Sequence, residues 1–292
     1  MGAVTRAMSP APREFAGLKL ERPLLMGIVN VTPDSFSDGG VFFDAERAIT
    51  HGVNLIAEGA DILDIGGEST RPGAEPVALE EEKRRVLPVI EGLRDAGAPL
   101  SCDTSKPELM AAALDAGARI VNDVRALRLG GIDVVAARGA SVILGHMQGE
   151  PETMNLDPRY GDVVAEVRAF LAERVATCIV AGIPPERIAV DPGFGFGKRR
   201  RHNMALLHEL GALASFDCAI CVGASRKFSP KDASGEMKLA GSLVAAVIAV
   251  RNGANILRVH DVAEHKAALE LLPDLTASAE PNPAPAEPPA AH

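Results

Sequence analysis

The chain has no tryptophan and only one tyrosine in its 292 residues. Proteins that bind single-stranded nucleic acids stack the bases on aromatic side chains, so this scarcity argues against such a platform. The chain also lacks an excess of positive charge, because its formal net charge is -9 at pH 7. A protein that holds a phosphate backbone is normally basic overall. We therefore expect no nucleic-acid partner, and any bound anion must be held by a local group of cations.

Cysteines and long apolar runs are also scarce. The chain has four cysteines, no segment resembling a signal peptide and no apolar run long enough to span a bilayer. These features predict a cytoplasmic protein with no membrane partner. Cys218 and Cys221 have the spacing of a redox or zinc motif, but they lie in an apolar run that favours a strand. A separation of three residues places their thiols on opposite faces, so we expect two core residues.

The chain is instead rich in aliphatic residues, being 47% hydrophobic but only 3% aromatic. This composition is typical of buried parallel strands covered by helices. Eight apolar runs recur with amphipathic segments between them. The runs cover residues 24–31, 62–66, 100–104, 120–124, 142–147, 188–192, 220–224 and 256–261. This alternation predicts an α/β fold, a single-domain (β/α)8 or TIM barrel. A doubly wound sheet is the alternative, but no glycine fingerprint follows the first run.

The segments between the runs predict helices, several of which end at a glycine suited to a helix C-terminus. The helical segments include residues 44–58, 79–95, 107–116, 161–181 and 240–252. The glycines are Gly59, Gly97, Gly117, Gly182 and Gly253. We expect the barrel to span residues 18–275, after an N-terminal extension of residues 1–17 that shows little pattern. The Ala/Pro-rich residues 276–292 predict a disordered tail.

Polar residues stand at the ends of the apolar runs, where a TIM barrel places its active site. They are Asn30, the loop 66–73, Asp103, Asn122, His146, Asp191, the segment 225–227, Arg258 and His260. Asp103, Asn122 and Asp191, with Lys227 as the one fixed cation, suit a neutral heterocycle that donates N–H groups. Arg71, Arg258 and His260 form a second group suited to phosphate, and Asn30 offers Mg²⁺ a neutral oxygen. The structural alternative is that these residues only cap loops and bind Lys227.

The glycine-rich segment 191–198 resembles a phosphate-binding loop but fails the pattern. Pro192 stands where the first glycine belongs, and Arg199 stands where Ser or Thr belongs. The segment is better interpreted as a flexible loop that places Phe196 over a ligand, with Asp191 fixed on the strand behind it. We interpret the basic run 198–201 as a solvated face.

Seven motifs in order make the chain resemble the dihydropteroate synthase family from about Leu18 to Leu272. They are Asn30-Val-Thr-Pro-Asp-Ser-Phe-Ser-Asp-Gly-Gly40, Asp64-Ile-Gly-Gly-Glu-Ser-Thr-Arg-Pro-Gly73, Asp103-Thr-Ser-Lys-Pro107, Asn122-Asp-Val124, Asp191-Pro-Gly-Phe-Gly-Phe-Gly-Lys198, Ser225-Arg-Lys227 and Arg258-Val-His-Asp-Val262. The resemblance implies a homodimeric TIM-barrel transferase of folate biosynthesis that uses Mg²⁺. Such an enzyme joins 6-hydroxymethyl-7,8-dihydropterin diphosphate to 4-aminobenzoate, giving 7,8-dihydropteroate and diphosphate.

The resemblance also implies roles for individual residues. The pterin would contact Asp103, Asn122, Met147, Asp191 and Lys227. The diphosphate would be bound by Asn30 through Mg²⁺ and by Thr70, Arg71, Arg258 and His260. The aminobenzoate pocket would comprise Phe36, Thr70, Pro72, Phe196 and Arg226. The residues expected to act in catalysis are Asp38, Asp103, Lys227, Arg258 and His260.

One position departs from the family pattern, because Phe228 follows Ser-Arg-Lys where a small hydroxyl residue is common. Two other functions remain as alternatives at this point. A pterin-dependent methyltransferase shares the barrel and the pterin carboxylates but needs no residues for a diphosphate, and a non-catalytic pterin-binding paralogue would tolerate Phe228. In the synthase, residues 32–40 are expected to form a lid that orders over the diphosphate.

Overall fold

The computed structural model describes residues 12–32, 40–69, 73–151, 153–154, 156–230 and 232–276 of the chain. Eight parallel strands alternate with helices and close into a barrel. The strands are β3 (Leu24–Asn30), β4 (Ile62–Gly66), β5 (Leu100–Asp103), β6 (Ile120–Asp123), β7 (Ser141–Gly145), β8 (Ile188–Asp191), β9 (Ala219–Val222) and β10 (Ile256–Val259). The predicted TIM barrel is confirmed, and each predicted apolar run contains one strand.

Most strands end before the predicted runs because the last one or two residues of those runs belong to the following loops. In β3, the first six residues are buried and Asn30 is the first to emerge. The period of two along each strand separates two apolar layers. One side chain in two points to the barrel interior, and the others pack against the surrounding helices. Cys221 lies in the inner layer and Cys218 in the outer one, both as buried free thiols, which confirms the prediction for this pair.

Eight α-helices are present in the described residues. They are α1 (Gly40–Glu58), α2 (Leu79–Leu93), α3 (Pro107–Ala116), α4 (Ile132–Ala137), α5 (Val163–Val180), α6 (Arg200–His208), α7 (Gly235–Arg251) and α8 (Val262–Thr276). The five glycines predicted at helix C-termini all have positive φ. Side chains cap two of the helices, Asp162 at the start of α5 and Ser234 at the start of α7. No helix in the described part of the chain is long and apolar enough to cross a membrane.

An antiparallel hairpin closes the lower end of the barrel, where the strands begin. It consists of β1 (Glu14–Phe15) and β2 (Leu18–Lys19). Phe15 has 0% exposure and packs with the inner residues Met26, Ile62 and Ile256. The hairpin therefore lies across the boundary predicted between the extension and the barrel. A strand of two residues carries no periodic pattern, so it could not be predicted from the pattern of apolar residues. Residues 1–11 and the end of the predicted tail, 277–292, lie outside the described residues.

The strand register determines which polar residues share a level at the upper end of the barrel. Asn30 pairs with Gly66, Gly66 with Asp103, and Asp103 with Asn122 along four neighbouring strands. Asp191 is the partner of Gly145 at the end of β8. The carboxyl ends of the strands thus bring together residues that are far apart in the sequence.

Candidate active site

A pocket opens at the carboxyl ends of the barrel strands. Its lining comprises Asp103, Asn122, Val124, Gly145, His146, Asp191, Gly193, Phe196, Gly223, Lys227 and Arg258. Four of the five residues expected around the pterin are therefore brought together, along with Phe196. The exception is Met147, which is 5% exposed and is not among the lining residues. Asn30, Arg226 and His260 also lie outside this lining set.

The floor of the pocket is an ionic network centred on Asp64. The Oδ2 atom of Asp64 accepts hydrogen bonds from Nε of Arg258 at 2.5 Å and from Nδ2 of Asn122 at 3.0 Å. The second carboxylate, Asp103, accepts a hydrogen bond from Nη2 of Arg258 at 2.7 Å. We name Asp64, Asp103, Asn122 and Arg258 the floor network. Arg258 is a fixed cation beside the pterin group, which corrects the expectation that Lys227 is the only one.

Asp64 is a residue that the sequence interpretation missed. Its side chain is fully buried, and its Oδ1 atom has no hydrogen-bond partner among the described residues. The strand period contained the necessary information, because Ile62 and Asp64 share one face of β4 and Ile62 packs inside the barrel. A charged residue at the next inward position is costly to bury unless it is paired, and so it indicates a buried ion pair.

Burial changes the acid–base properties of the floor network. Burial raises the pKa of Asp103 to about 7, because the charge of Arg258 only partly offsets desolvation and the nearby Asp64 adds repulsion. For Arg258, burial opposes the charge, but Asp64 and Asp103 outweigh that effect and raise the pKa of the guanidinium. Arg258 therefore stays charged at neutral pH, whereas Asp103 changes its protonation state close to neutral pH.

The opposite wall of the pocket pairs Asp191 with Lys227. The N–H of Gly193 donates to Oδ1 of Asp191 at 2.7 Å, which fixes the carboxylate. A Cβ atom at Gly223 would lie 3.6 Å from Nζ of Lys227 and 3.7 Å from Oδ2 of Asp191, so the glycine leaves this region open. Desolvation within the pocket lowers the pKa of Lys227 to about 8, although the residue is exposed at the mouth, and the charge of Asp191 opposes that shift. Burial also raises the pKa of Asp191, against the opposing charge of Lys227.

The glycine-rich loop that follows β8 places Phe196 as the sequence predicts. The Nζ atom of Lys227 lies 4.5 Å from the centroid of the Phe196 ring, within the range of a cation–π contact. The prediction for the basic run is wrong at its first residue. Lys198 is only 5% exposed, and its ammonium group contacts main-chain oxygens of the loop, whereas Arg199, Arg200 and Arg201 are exposed.

His260 lies at the edge of the site, beside Ser225 and Arg226. Nδ1 of His260 and the hydroxyl of Ser225 are 3.0 Å apart. Burial lowers the pKa of His260 to about 3, and the positive charges of Arg226 and Arg258 lower it further. The imidazole is therefore neutral at pH 7, and it offers a phosphate a hydrogen bond rather than a charge. Arg226 has a φ of 63° and its guanidinium donates to Asp261 at 2.7 Å.

Several expected site residues lie outside the described residues. They are Phe36, Asp38, Thr70, Arg71 and Pro72, together with positions 33–39 of the predicted lid. Phe228 is described, and it does not line the pocket. Its ring lies edge-on to that of Phe194, with 5.2 Å between the centroids, and it packs against the outer core. The residue that departs from the family pattern thus has a packing role in the structure.

An eight-stranded barrel with buried carboxylates, a lysine and an arginine around a pocket at its upper end defines an enzyme of the TIM-barrel class. The family model described as pterin binding enzyme matches residues 26–260. The chain is 46% identical over 270 residues to the dihydropteroate synthase of Escherichia coli strain K12, covering 91% of this chain and 95% of that protein.

Solved structures give the same result. The dihydropteroate synthase of Xanthomonas albilineans with 4-aminobenzoic acid superposes with a TM-score of 0.85 at 49% identity, covering 92% of this chain and 100% of that one. The same organism's enzyme in complex with 7,8-dihydropteroate superposes with a TM-score of 0.80 at 47% identity, covering 90% and 97% of the two chains. This chain belongs to the pterin binding enzyme family and, within it, to the dihydropteroate synthases.

Proposed function

We propose that the chain condenses 6-hydroxymethyl-7,8-dihydropterin diphosphate with 4-aminobenzoate, giving 7,8-dihydropteroate and diphosphate in folate biosynthesis. One observation carries this proposal: Asp103, Asn122, Asp191 and Lys227 line a single pocket in a member of this family. The two carboxylates accept hydrogen bonds from the amino and ring N–H groups of a pterin, and Lys227 donates to its carbonyl. A site that hydrogen-bonds its substrate in this way rejects analogues that lack the matching group, by about 10⁴-fold.

The reaction transfers the pterin methylene from oxygen to nitrogen. The C–O bond to the diphosphate breaks, the arylamine nitrogen bonds to the methylene carbon, and one amine proton is released. Positive charge develops on the methylene as the leaving group departs. We propose that Asp103, and Asp38 outside the described residues, stabilise this charge. The arylamine is neutral at pH 7 and needs no strong base.

We propose that the diphosphate is bound by Arg258 and His260, with Thr70 and Arg71 from outside the described residues. The neutral ring of His260 suits donation to a phosphate oxygen. Asn30 is half-buried at the end of β3, and its carboxamide has no recorded hydrogen-bond partner among the described residues. One neutral protein oxygen fits Mg²⁺, which keeps several waters and binds substrate phosphates, neutralising their charge. For 4-aminobenzoate, the proposed contacts are Phe196 and Arg226, with Phe36, Thr70 and Pro72.

The position of Phe228 bears on the alternative functions. Phe228 and the altered loop that follows it are the support for a non-catalytic paralogue, but the Phe228 ring packs on Phe194 rather than in the pocket. A pterin-dependent methyltransferase needs no arginine for a diphosphate at the mouth of the barrel, yet Arg258 lines this pocket. Both observations favour the synthase.

A direct assay tests the proposal. The purified chain is incubated with the pterin diphosphate, Mg²⁺ and 4-aminobenzoate, and dihydropteroate and diphosphate are quantified. The two products are expected in equal amounts. Omitting each component in turn is the control, and each omission is expected to abolish product. Pterin binding by calorimetry without any product would contradict the synthase and favour the paralogue.

We further propose that the chain forms a homodimer through α7 and α8, which pack side by side. Apolar side chains on these helices are more than half exposed, with Met237 at 57%, Val244 at 60% and Leu271 at 58%. Val244→Glu is expected to give a monomer by sedimentation equilibrium. Val180→Glu, on α5, is the matched control and should leave the dimer intact. A monomeric wild-type chain would contradict the proposal. The cytoplasmic location stays a prediction.

A further inference from the structure

Lys198 is a buried lysine to which the proposed chemistry assigns no role. Its Nζ atom lies 2.8 Å from Nδ1 of His146, 3.1 Å from the carbonyl oxygen of His146, and 3.0 Å from the carbonyl oxygens of both Gly193 and Phe196. Burial and the charge of Lys198 lower the pKa of His146 to about 3, so the imidazole is neutral and Nδ1 accepts. Burial lowers the pKa of Lys198 to about 7, and the ammonium form has three protons to share among four acceptors, all of them protein atoms.

The partners of Lys198 are residues of the pocket wall. His146, Gly193 and Phe196 all line the pocket, whereas Lys198 does not. His146 follows β7, and the other two lie in the loop that follows β8. Lys198 therefore connects the ends of two neighbouring strands from behind the wall. Its contacts reach Asp191 as well, because the N–H groups of His146 and Gly193 both donate to Asp191.

The loop and the end of β7 are packed too closely to exchange partners freely. A Cβ atom at Gly193 would lie 1.9 Å from the carbonyl oxygen of His146, and one at Gly197 would lie 2.3 Å from that of Gln148. The hydroxyl of Tyr160 donates to the Gly197 carbonyl at 3.0 Å. Without the ammonium group, three carbonyls lose a donor. The Gly193 carbonyl keeps the N–H of Phe196, but the buried carbonyl of His146 loses its contact with Lys198, which is costly unless the loop moves to reach water. Lys198 thereby determines where the loop lies.

We propose that Lys198 is a positioning residue of the pterin pocket, which holds His146, Gly193 and Phe196 in place by donating to them from behind. The identity of the ligand rests on the proposed function. The hydrogen bonds of Lys198 are independent of that function. The titratable groups that interact with the ammonium are Asp191 at the end of β8, Lys227 after β9, His146 after β7 and His202 on α6. Asp191 is the one acidic group that the described residues place against it.

The test compares Lys198→Met with the wild-type full-length chain. The Met side chain keeps the length and removes the donors. We expect amide hydrogen exchange at residues 193–197 to accelerate in the ligand-free protein. We also expect the affinity for 6-hydroxymethyl-7,8-dihydropterin, measured by calorimetry, to fall by about tenfold to a hundredfold, as small misplacements in a site do. As the affinity for the pterin falls, KM for the pterin diphosphate should rise. Unchanged loop exchange and unchanged pterin affinity would overturn the proposal.

Two controls separate positioning from a general loss of stability. Lys19→Met, on the exposed hairpin at the other end of the barrel, should change neither measurement. Val167→Ala makes a cavity in the core beside α5 and should lower stability while leaving pterin affinity intact. An equal loss of affinity in Val167→Ala would contradict a specific role for Lys198. If Lys198→Met does not fold, Lys198→Leu also removes every donor, and unchanged exchange and affinity in that variant would overturn the proposal equally.

The loop measurement does not depend on the enzymatic reaction. A wild-type chain that forms no dihydropteroate would contradict the proposed function. Faster amide exchange of residues 193–197 in Lys198→Met would still support the role of Lys198 in positioning the residues of the pocket wall.

Discussion

The two ends of this barrel differ in what fills them. The lower end is apolar, because Phe15 from the hairpin packs on Met26, Ile62 and Ile256 inside the strands. The upper end is filled by the floor network, in which the charges of Arg258, Asp64 and Asp103 compensate one another. The inner face of the same strands thus changes from hydrophobic packing to paired charges within a few residues. We expect changes at the lower end to affect stability alone, and changes at the upper end to affect both stability and turnover.

The largest effect is expected for Asp64→Ala. This change leaves Arg258 and Asn122 without their shared acceptor, and removing one partner of a buried ion pair costs about 3–5 kcal/mol. Urea denaturation should show that loss, and kcat/KM for the pterin diphosphate should fall by more than about a hundredfold. Asp115→Ala removes the partner of Arg138 in an exposed pair and is the matched control. Similar behaviour of the two variants would contradict the account of the floor network.

Phe15→Ala tests the lower end. The ring is fully buried, so its removal should lower the free energy of unfolding by about 3–4 kcal/mol. Because the hairpin lies at the end away from the pocket, kcat and KM should stay at wild-type values below the melting transition. A changed KM for either substrate would show that the two ends are coupled.

The pH dependence of kcat/KM tests the charges of the upper end. Asp103 is ionised above its pKa of about 7, and Lys227 is protonated below its pKa of about 8. If the ionised acid and the protonated lysine are the active forms, the profile is a bell with its maximum between these values. Activity should fall by about tenfold per pH unit on each side. The acid limb should be absent in Asp103→Asn, and its persistence there would assign it to another group.

The smallest effect is expected for His260→Asn. The ring is already neutral at pH 7, so the change removes no charge and replaces the ring N–H by the amide of a shorter side chain. We expect KM for the pterin diphosphate to rise by less than about tenfold, as for one neutral hydrogen bond. The pH profile of kcat/KM should contain no transition near pH 6.5 that is present in the wild type and absent in this variant. Such a transition would mean that His260 titrates as an exposed histidine does.

The barrel and most of the pocket were predictable, whereas some buried charges were not. The strand runs follow from aliphatic composition, and Asp103, Asn122 and Asp191 follow from the rule that active sites lie at carboxyl ends. The sequence alone predicts a solvated Lys198, because this residue begins a basic run. Its burial depends on carbonyl groups that only the folded loop brings together. Asp64 differs, because its inward position was evident in the strand period but its partner Arg258 is 194 residues away.

The site also joins two groups that the sequence separated. The sequence places Arg258 among the residues suited to bind phosphate. In the structure its guanidinium donates to Asp64 and to Asp103, a residue expected to contact the pterin. The floor network should therefore respond as a unit to the loss of Arg258.

Calorimetry of Arg258→Met with two ligands tests this central claim most directly. The ligands are 6-hydroxymethyl-7,8-dihydropterin and its diphosphate with Mg²⁺. Both affinities are expected to fall by at least about tenfold, because Asp64 and Asp103 lose the cation that orders them. The fall should be larger for the diphosphate. A loss confined to the diphosphate, with free pterin affinity at the wild-type value, would contradict this claim.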